Sequence, residues 1–525
     1  MRKLSVLYPL RNAAVWAVIV GTIIGVLLTV FSTRWLLFDD AYIHARIARN
    51  LLEHGEPFFN LGVRFKADSS TGFLLLLTLF SYGLDFISAI RTIEGLAIVA
   101  TTVALALLIY LNEGRRLISI AAAVGVMPAF LLCAYGGMET SVACALLAWA
   151  TLAMQREQYR WAVVLIAVSA AVRIELALLL GLVLFHLVRH KGQGLAIIAW
   201  ALPFVAVCAL DLIWFGGVLP HAAKAKALAY GYPLEDSIRN GLHVVRGHAA
   251  FAGFVVACLI AAYGIIKGRL RPTFQEVLLV FCAVLFTVWV TSRSMIFEWY
   301  LCLLSFPLGL ALLSRQASAT PIRTLATLFA LGGTAFHSYQ VQNYLGPANT
   351  DGHVNLRVPY YLAVGSGLEG FCPTCTLATT EVGGLGYGFK GKVWDALGLG
   401  DPEAARFHPM KVPDERADYG IGAFPPAYVG LRNPDFVVTL DFYSEALQRS
   451  EFLHDYRLYL CPFPPELTIY AKKSGVKVYA RMEIPSPTLK TMGCEESAAW
   501  SSRMNRRNGL HQPGFLASKL RYHGR

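Results

Sequence analysis

Apolar runs of about 17–22 residues recur through the first two thirds of this 525-residue chain, each long enough to cross a bilayer. Within lipid every backbone N–H and C=O must be satisfied inside the segment, so such runs are confined to helices. Composition agrees: 56% of residues are hydrophobic, 15% are charged and mean hydropathy is +0.51, where a soluble domain would carry more charge. The chain reads as a polytopic α-helical membrane protein. Its first run, Ala13 to Phe31, is longer than a signal-peptide core and has no small-residue cleavage site after it, which predicts a retained span.

The net charge of +12 does not point to nucleic acid, because Lys and Arg fall in short clusters between spans, as topology signals do. Placing every such cluster on the cytoplasmic side requires an even number of crossings between Arg11 and Arg115. Three apolar segments lie there, near 13–33, 72–88 and 92–111. The middle one contains Gly72, Gly83 and Asp85, and is expected to lie along or re-enter the interface rather than span. The remaining spans are predicted near 13–33, 92–111, 117–135, 140–154, 161–173, 176–188, 195–214, 249–266, 274–290, 300–314 and 324–340. About eleven crossings put the tail outside the cytoplasm. This divides the chain into a transmembrane domain over 1–341, with a first extracytoplasmic loop at about 34–91, and an extracytoplasmic domain over 342–525.

That second domain is rich in Pro, Gly, Tyr and mixed charge. Its strand-like runs Phe436–Leu440, Leu467–Tyr470 and Val476–Ala480 predict a mixed α/β core, with a basic, loosely ordered end from about 501. Cys372, Cys375, Cys461 and Cys494 fall here, where two disulfides are possible on an extracytoplasmic face. Cys372-Pro-Thr-Cys375 has the spacing of a redox or metal half-site, but no second CxxC accompanies it, which favours a local disulfide. Cys133, Cys144, Cys208, Cys258, Cys282 and Cys302 lie in or beside apolar spans, as small buried hydrophobes do.

By parity the unusual polar residues share the extracytoplasmic face. Asp39 and Asp40 follow the first span and open a predicted interfacial helix with Ile43, Ile47 and Leu51 on one side; Arg46 and Arg49 are expected to meet lipid phosphate. Acids abutting a span are costly to desolvate, and capping accounts for one Asp better than for two. Glu139 lies in a Gly-Gly-Met-Glu-Thr-Ser turn, Arg173 and Glu175 at another edge, and His221, Lys224 and Lys226 follow Trp214-Phe-Gly-Gly. Arg293 precedes Trp299 and Tyr300, which have the character of interface anchors. Each has a plain structural alternative: a helix start for Glu139, an ion pair for Arg173 with Glu175, solvated loop charge for Lys224 and Lys226. Together they suit a lipid-linked phosphate donor. Cations would hold the phosphate and its leaving charge, and a carboxylate would take the proton of an attacking hydroxyl.

Phe38-Asp-Asp-Ala-Tyr-Ile, Ala48-Arg-Asn-Leu-Leu-Glu-His-Gly and Phe59-Asn-Leu-Gly resemble the first-loop signature of one branch of the GT-C integral-membrane glycosyltransferases. That branch includes the mycobacterial terminal arabinofuranosyltransferase and pilin-glycosylating relatives. Gly137-Met-Glu-Thr-Ser is similar to its second signature. Arg173-Ile-Glu resembles its Arg-Pro-acid element with Ile in place of Pro, and Phe215 to Lys226 its Leu-Pro-Asn-Thr…Lys loop with His221 for Asn. Thr380-Glu-Val-Gly-Gly-Leu-Gly-Tyr and Val393-Trp-Asp-Ala-Leu-Gly-Leu look like its extracytoplasmic pattern. The resemblance covers most of the chain in the same order.

It implies a GT-C-like fold and an inverting transfer of a sugar, arabinofuranose among the candidates, from a polyprenyl phosphate to an extracytoplasmic glycan or pilin-like protein. The protein would sit in the inner membrane. It further implies Asp39 as general base with Asp40 in support, and Glu139 on sugar or acceptor hydroxyls. Lys224, Lys226, Arg173 and Arg293 would hold the phosphate, with Glu175 and His221 at the same substrate site. Glu381 and Asp395 would organise the tail, and an Mg²⁺ or Mn²⁺ ion at Asp39 and Asp40 is compatible with some members. The competing readings are a transporter or flippase of a lipid-linked saccharide, which would place charges near the midplane in repeated halves, and a non-catalytic membrane scaffold.

Overall fold

The computed structural model describes residues 37–112, 116–229, 231, 233–244, 273–293, 296, 298–313, 328, 332, 357–408, 410, 424–440, 444–462 and 475–497. The predicted spans near 13–33 and 249–266, nearly all of that near 324–340, the run Leu467–Tyr470 and the tail from 501 lie outside the described residues.

Helix α1 (Asp39–His54) starts after an extended Phe38, with both acids in its first turn, and stops at Gly55, which adopts φ 73°. Helix α2 (Thr71–Phe80) is capped by Ser70 Oγ, which accepts the Phe73 N–H. Its ten residues rise about 15 Å, half of what a crossing needs. The segment predicted not to span is therefore a short helix and a turn. Asp85, read as an argument against a span, is the N-cap of α3 (Phe86–Leu111) and accepts the Ile87 and Ser88 N–H groups.

The bundle continues through α4 (Arg116–Gly136), α5 (Thr140–Gln155), α6 (Tyr159–Val172) and α7 (Leu176–His190). A 3₁₀ turn over Leu195–Ala201 runs into α8 (Leu202–Phe215), followed by the short α9 (His221–Ala229) and α10 (Leu234–Val244), then α11 (Phe274–Thr291) and α12 (Cys302–Leu313). Among the described residues four helical stretches are long and apolar enough to cross a membrane: Phe86–Leu111, Ile118–Gly136, Leu195–Phe215 and Phe274–Thr291. Helices α5, α6 and α7 occupy the predicted spans but, with 16, 14 and 15 residues, are shorter.

The C-terminal domain begins with α13 (Arg357–Phe371) and is built on a six-stranded sheet of order β2-β1-β3-β5-β4-β6. Strands β1 (Thr376–Thr379), β2 (Lys392–Asp395) and β3 (Phe436–Leu440) are parallel; β4 (Arg457–Pro462), β5 (Gly475–Ala480) and β6 (Glu495–Glu496) extend the sheet antiparallel. Every residue of β3 is buried, as a central strand's uninterrupted Phe-Val-Val-Thr-Leu demands. Disulfides join Cys372 to Cys375 and Cys461 to Cys494.

Helix α1 and the loop after it hold this domain to the bundle. Arg46 donates to the carbonyls of Phe59, Gly386, Phe389 and Gly391, and Arg49 to that of Tyr387. The expectation that these arginines meet lipid phosphate is corrected: both are buried and donate to carbonyls of the 386–391 segment. Burial holds the Arg46 guanidinium down to about 9, with the Arg49 charge adding to the effect. The Asn60 side chain takes both the C=O and the N–H of Val393 on edge strand β2, at 2.7 and 3.0 Å, covering an edge that would otherwise be open.

Candidate active site

One cavity of about 930 Å³ lies where the loops between bundle helices meet the C-terminal domain. Asp40, Glu139, Arg173 and Glu175 line it, and so do His221, Lys224 and Lys226 from the start of α9. Residues scattered across nearly two hundred positions of sequence thus converge. Apolar lining comes from Val284, Leu285, Val288 and Trp289 of α11, and Leu399 of the C-terminal domain also lines the cavity.

Glu139 is the buried centre of the polar side. Its Oε1 accepts Arg173 NH1 at 2.5 Å and Ser69 Oγ at 3.1 Å, and His44 Nε2 lies 3.5 Å from Oε2. Arg173 also donates to Glu175 Oε1 at 2.8 Å and lies over the Tyr300 ring, 5.5 Å from its centroid. Burial alone would raise the Glu139 pKa, but the Arg173 and His44 charges outweigh it and hold the carboxyl well below its usual range. Burial likewise works against charge on His44, and the Glu139 carboxylate more than offsets it, so the imidazole pKa is raised. The ion pair predicted for Arg173 and Glu175 is present, extended by Glu139 into a fixed cation at the cavity wall.

The adjacent acids part company. Asp39 Oδ2 accepts the Gly383 N–H at 2.9 Å and Oδ1 the Gly384 N–H at 2.8 Å, at the start of α14 (Gly384–Gly388). A Cβ on Gly383 would collide with the Asp39 carbonyl and carboxyl, so this contact requires glycine. Asp39 is not part of the cavity lining; Asp40 is, with Lys226 Nζ 3.4 Å from its Oδ2. Successive helical residues diverge by about 100°, and here that angle separates two domains. The expectation of Asp39 as base does not fit this placement: its carboxylate accepts two amide N–H groups and does not line the cavity.

Lys224 is exposed at the cavity, without an ion-pair partner among the described residues. Burial, followed by the Lys224 and Lys66 charges, lowers the His221 pKa, and the ring stacks on Phe65 with centroids 4.4 Å apart. Arg293 does not join the group. It sits just past the end of α11, exposed, with φ 54°, outside the cavity lining. Trp299 and Tyr300, expected as interface anchors, are instead cavity-wall residues. Asp395 does organise its loop, accepting the Leu397 and Gly400 N–H groups and so setting the stretch that carries Leu399.

A divalent cation does not fit Asp39 and Asp40. The first carboxylate accepts backbone amides outside the cavity lining while the second lines the cavity, so the two do not converge on one ion, and no cluster of three or more His, Cys, Asp or Glu suited to a metal occurs among the described residues.

The sequence reading missed His44, Asp68 and Ser69. His44 stands four residues after Asp40 on one face of α1, a spacing that would have paired them. Asp68 lies four residues before the apolar segment that starts at Gly72, and nothing in that spacing singles it out.

No family model matches the chain, and no curated protein matches it. Among solved structures it is similar to ArnT from Cupriavidus metallidurans bound to undecaprenyl phosphate, with TM-score 0.49, 9% identity, and coverage of 89% of this chain and 98% of that one. The same protein in its apo state gives TM-score 0.45 and 12% identity, with the same coverage. Likeness at this level establishes neither activity nor substrate.

Proposed function

We propose that the protein is a GT-C-type glycosyltransferase that moves a sugar from a polyprenyl phosphate to an extracytoplasmic acceptor. The observation that carries this reading is the make-up of the cavity, which is lined both by Asp40, Lys224, Lys226 and Arg173 and by apolar residues of α11. A lipid-linked phosphate has that same division, an anion joined to a long hydrocarbon. The α11 wall takes the isoprenoid chain next to the phosphate, and the lysines take the anion.

Lys226 is already at Asp40, so an arriving phosphate competes for the ammonium and leaves Asp40 open to the acceptor. The acceptor oxygen then attacks the anomeric carbon as Asp40 takes its proton. The bond from that carbon to the phosphate oxygen breaks, and the electron pair leaves with the phosphate, its charge matched by Lys224, Lys226 and Arg173. A single displacement of this kind inverts the anomeric centre. Glu139, locked between Arg173 and His44, positions the cation and does not take protons.

Arabinofuranose as the sugar, and a glycan or pilin-like protein as the acceptor, rest on the motif resemblance. The two disulfides support an oxidising, extracytoplasmic location for the C-terminal domain of an inner-membrane protein. The test is binding of decaprenyl phosphate to the purified protein and to Lys224→Ala: saturable binding weakened about tenfold or more in the variant supports the reading. No binding by either protein refutes it.

A further inference from the structure

Asp68 is 2% exposed and lines the cavity, yet neither of its carboxylate oxygens has a hydrogen-bond partner. Its neighbours are all committed. Lys66 Nζ is 2.5 Å from Asp211 Oδ2 and donates to the Val218 carbonyl, Ser69 donates to Glu139, Ser70 caps α2, and Thr71 donates to Asp211. The loop is thus pinned on both sides of a residue whose carboxylate makes no hydrogen bond. A buried carboxylate without donors is costly, and it persists where a ligand supplies them. Burial raises the Asp68 pKa, against the nearby His44 and Lys66 charges.

With Asp68 ionised beside the His44 and Lys66 charges, the group that completes it is a hydrogen-bond donor. That excludes the phosphate, an acceptor of the wrong sign, and the hydrocarbon chain. What remains of a glycolipid is its sugar. The position also fits: the Lys66 carbonyl accepts the His221 N–H at 3.3 Å, and Phe65 stacks on His221, tying this loop to the stretch that leads into Lys224 and Lys226. The unpartnered Nδ1 atoms of His44 and His221 belong to cavity-lining residues as well.

We propose that Asp68 is a specificity-determining residue whose two oxygens accept hydrogen bonds from adjacent hydroxyls of the sugar carried on the lipid phosphate. The proposal rests on the glycosyltransferase reading and deepens it. Asp68 favours the donor whose adjacent hydroxyls are placed to reach both of its oxygens, and contributes to binding the sugar rather than the phosphate.

The test compares wild type, Asp68→Asn and Asp68→Ala for binding of decaprenyl phosphate and of its arabinofuranosyl, mannosyl and glucosyl derivatives, with thermal stability recorded without ligand. Octyl glycosides of the same sugars, which lack the phosphate, report a sugar bound on the acceptor side. The expected result is that wild type binds one sugar-bearing lipid more tightly than decaprenyl phosphate. Both variants lose about tenfold or more of that increment, keep their affinity for decaprenyl phosphate, and are no less heat-stable than wild type. A loss confined to the octyl glycosides assigns the diol to the acceptor sugar. An undiminished increment in both variants, no increment in wild type, or a fall in ligand-free stability overturns the role of Asp68 and leaves the glycosyltransferase reading standing. Failure of wild type to bind decaprenyl phosphate removes both.

Discussion

Asp39 and Asp40 are consecutive on one helix, yet the Asp39 carboxylate holds the backbone of Gly383 and Gly384 while Asp40 faces the cavity beside Lys226. One acid thus ties the C-terminal domain to the bundle, and its neighbour lines the cavity.

Substitution should separate the two roles. Asp39→Ala removes two charge-assisted hydrogen bonds and is expected to cost roughly 3 kcal/mol or more, lowering the thermal midpoint. Gly383→Ala should act in the same direction, because the added methyl meets Asp39. Asp40→Asn should leave the midpoint close to that of wild type, and differential scanning of the purified proteins checks all three.

The Arg173–Glu139 pair is buried on both sides. Removing one partner of such a pair strands the other charge, so Arg173→Ala is expected to destabilise by about 3–5 kcal/mol. Pairing Arg173→Met with Glu139→Leu should recover much of that stability but not substrate binding. Thermal unfolding in detergent and donor affinity, measured on the same samples, read the two effects apart.

The disulfides should differ in weight. Cys461–Cys494 closes a loop with a sequence separation of 33 and Cys372–Cys375 one with a separation of 3. Loop-closure entropy assigns about 3–4 kcal/mol to the first and about 2 to the second. Cys461→Ser should therefore lower the unfolding midpoint more than Cys372→Ser does, each compared with the untreated protein.

Asp395 gives the C-terminal domain a pH dependence. Burial pushes its carboxyl from 3.8 up to about 7, against the pull of the Leu397 and Gly400 N–H groups. The unfolded chain ionises first, so between about pH 4 and pH 7 the folded state holds the extra proton. Its contribution to stability is full below that window and is lost as pH rises through it. Urea titrations across the range should show this decline, and Asp395→Asn should flatten it.

What the sequence disclosed depended on whether its signal was periodic or local. Charge parity singled out 72–88, where the helix is only ten residues long, and β3 lies where Phe436–Leu440 placed it, because span length and uninterrupted β-branched runs are read along the chain. Glu139, Arg173, Lys224 and Lys226, grouped in the sequence by the parity of the spans, line one cavity. The fates of Arg46, Arg49 and Asp39 were not, since each is decided by carbonyls or amides from residues 383–391, more than three hundred positions away. Asp68 could be found only by absence: an acid whose lack of partners shows once its neighbours are in place.

The most direct test of the central claim is turnover. Wild type and Asp40→Asn would be incubated with decaprenyl-phosphate sugars and glycan or pilin acceptors, and sugar release or transfer followed by mass spectrometry. Wild type is expected to turn over one donor, with Asp40→Asn slower by about two orders of magnitude or more while its donor binding persists. Equal turnover by both proteins would contradict the role of Asp40. Binding without turnover of any donor would contradict the glycosyltransferase itself and favour a carrier of lipid-linked saccharide.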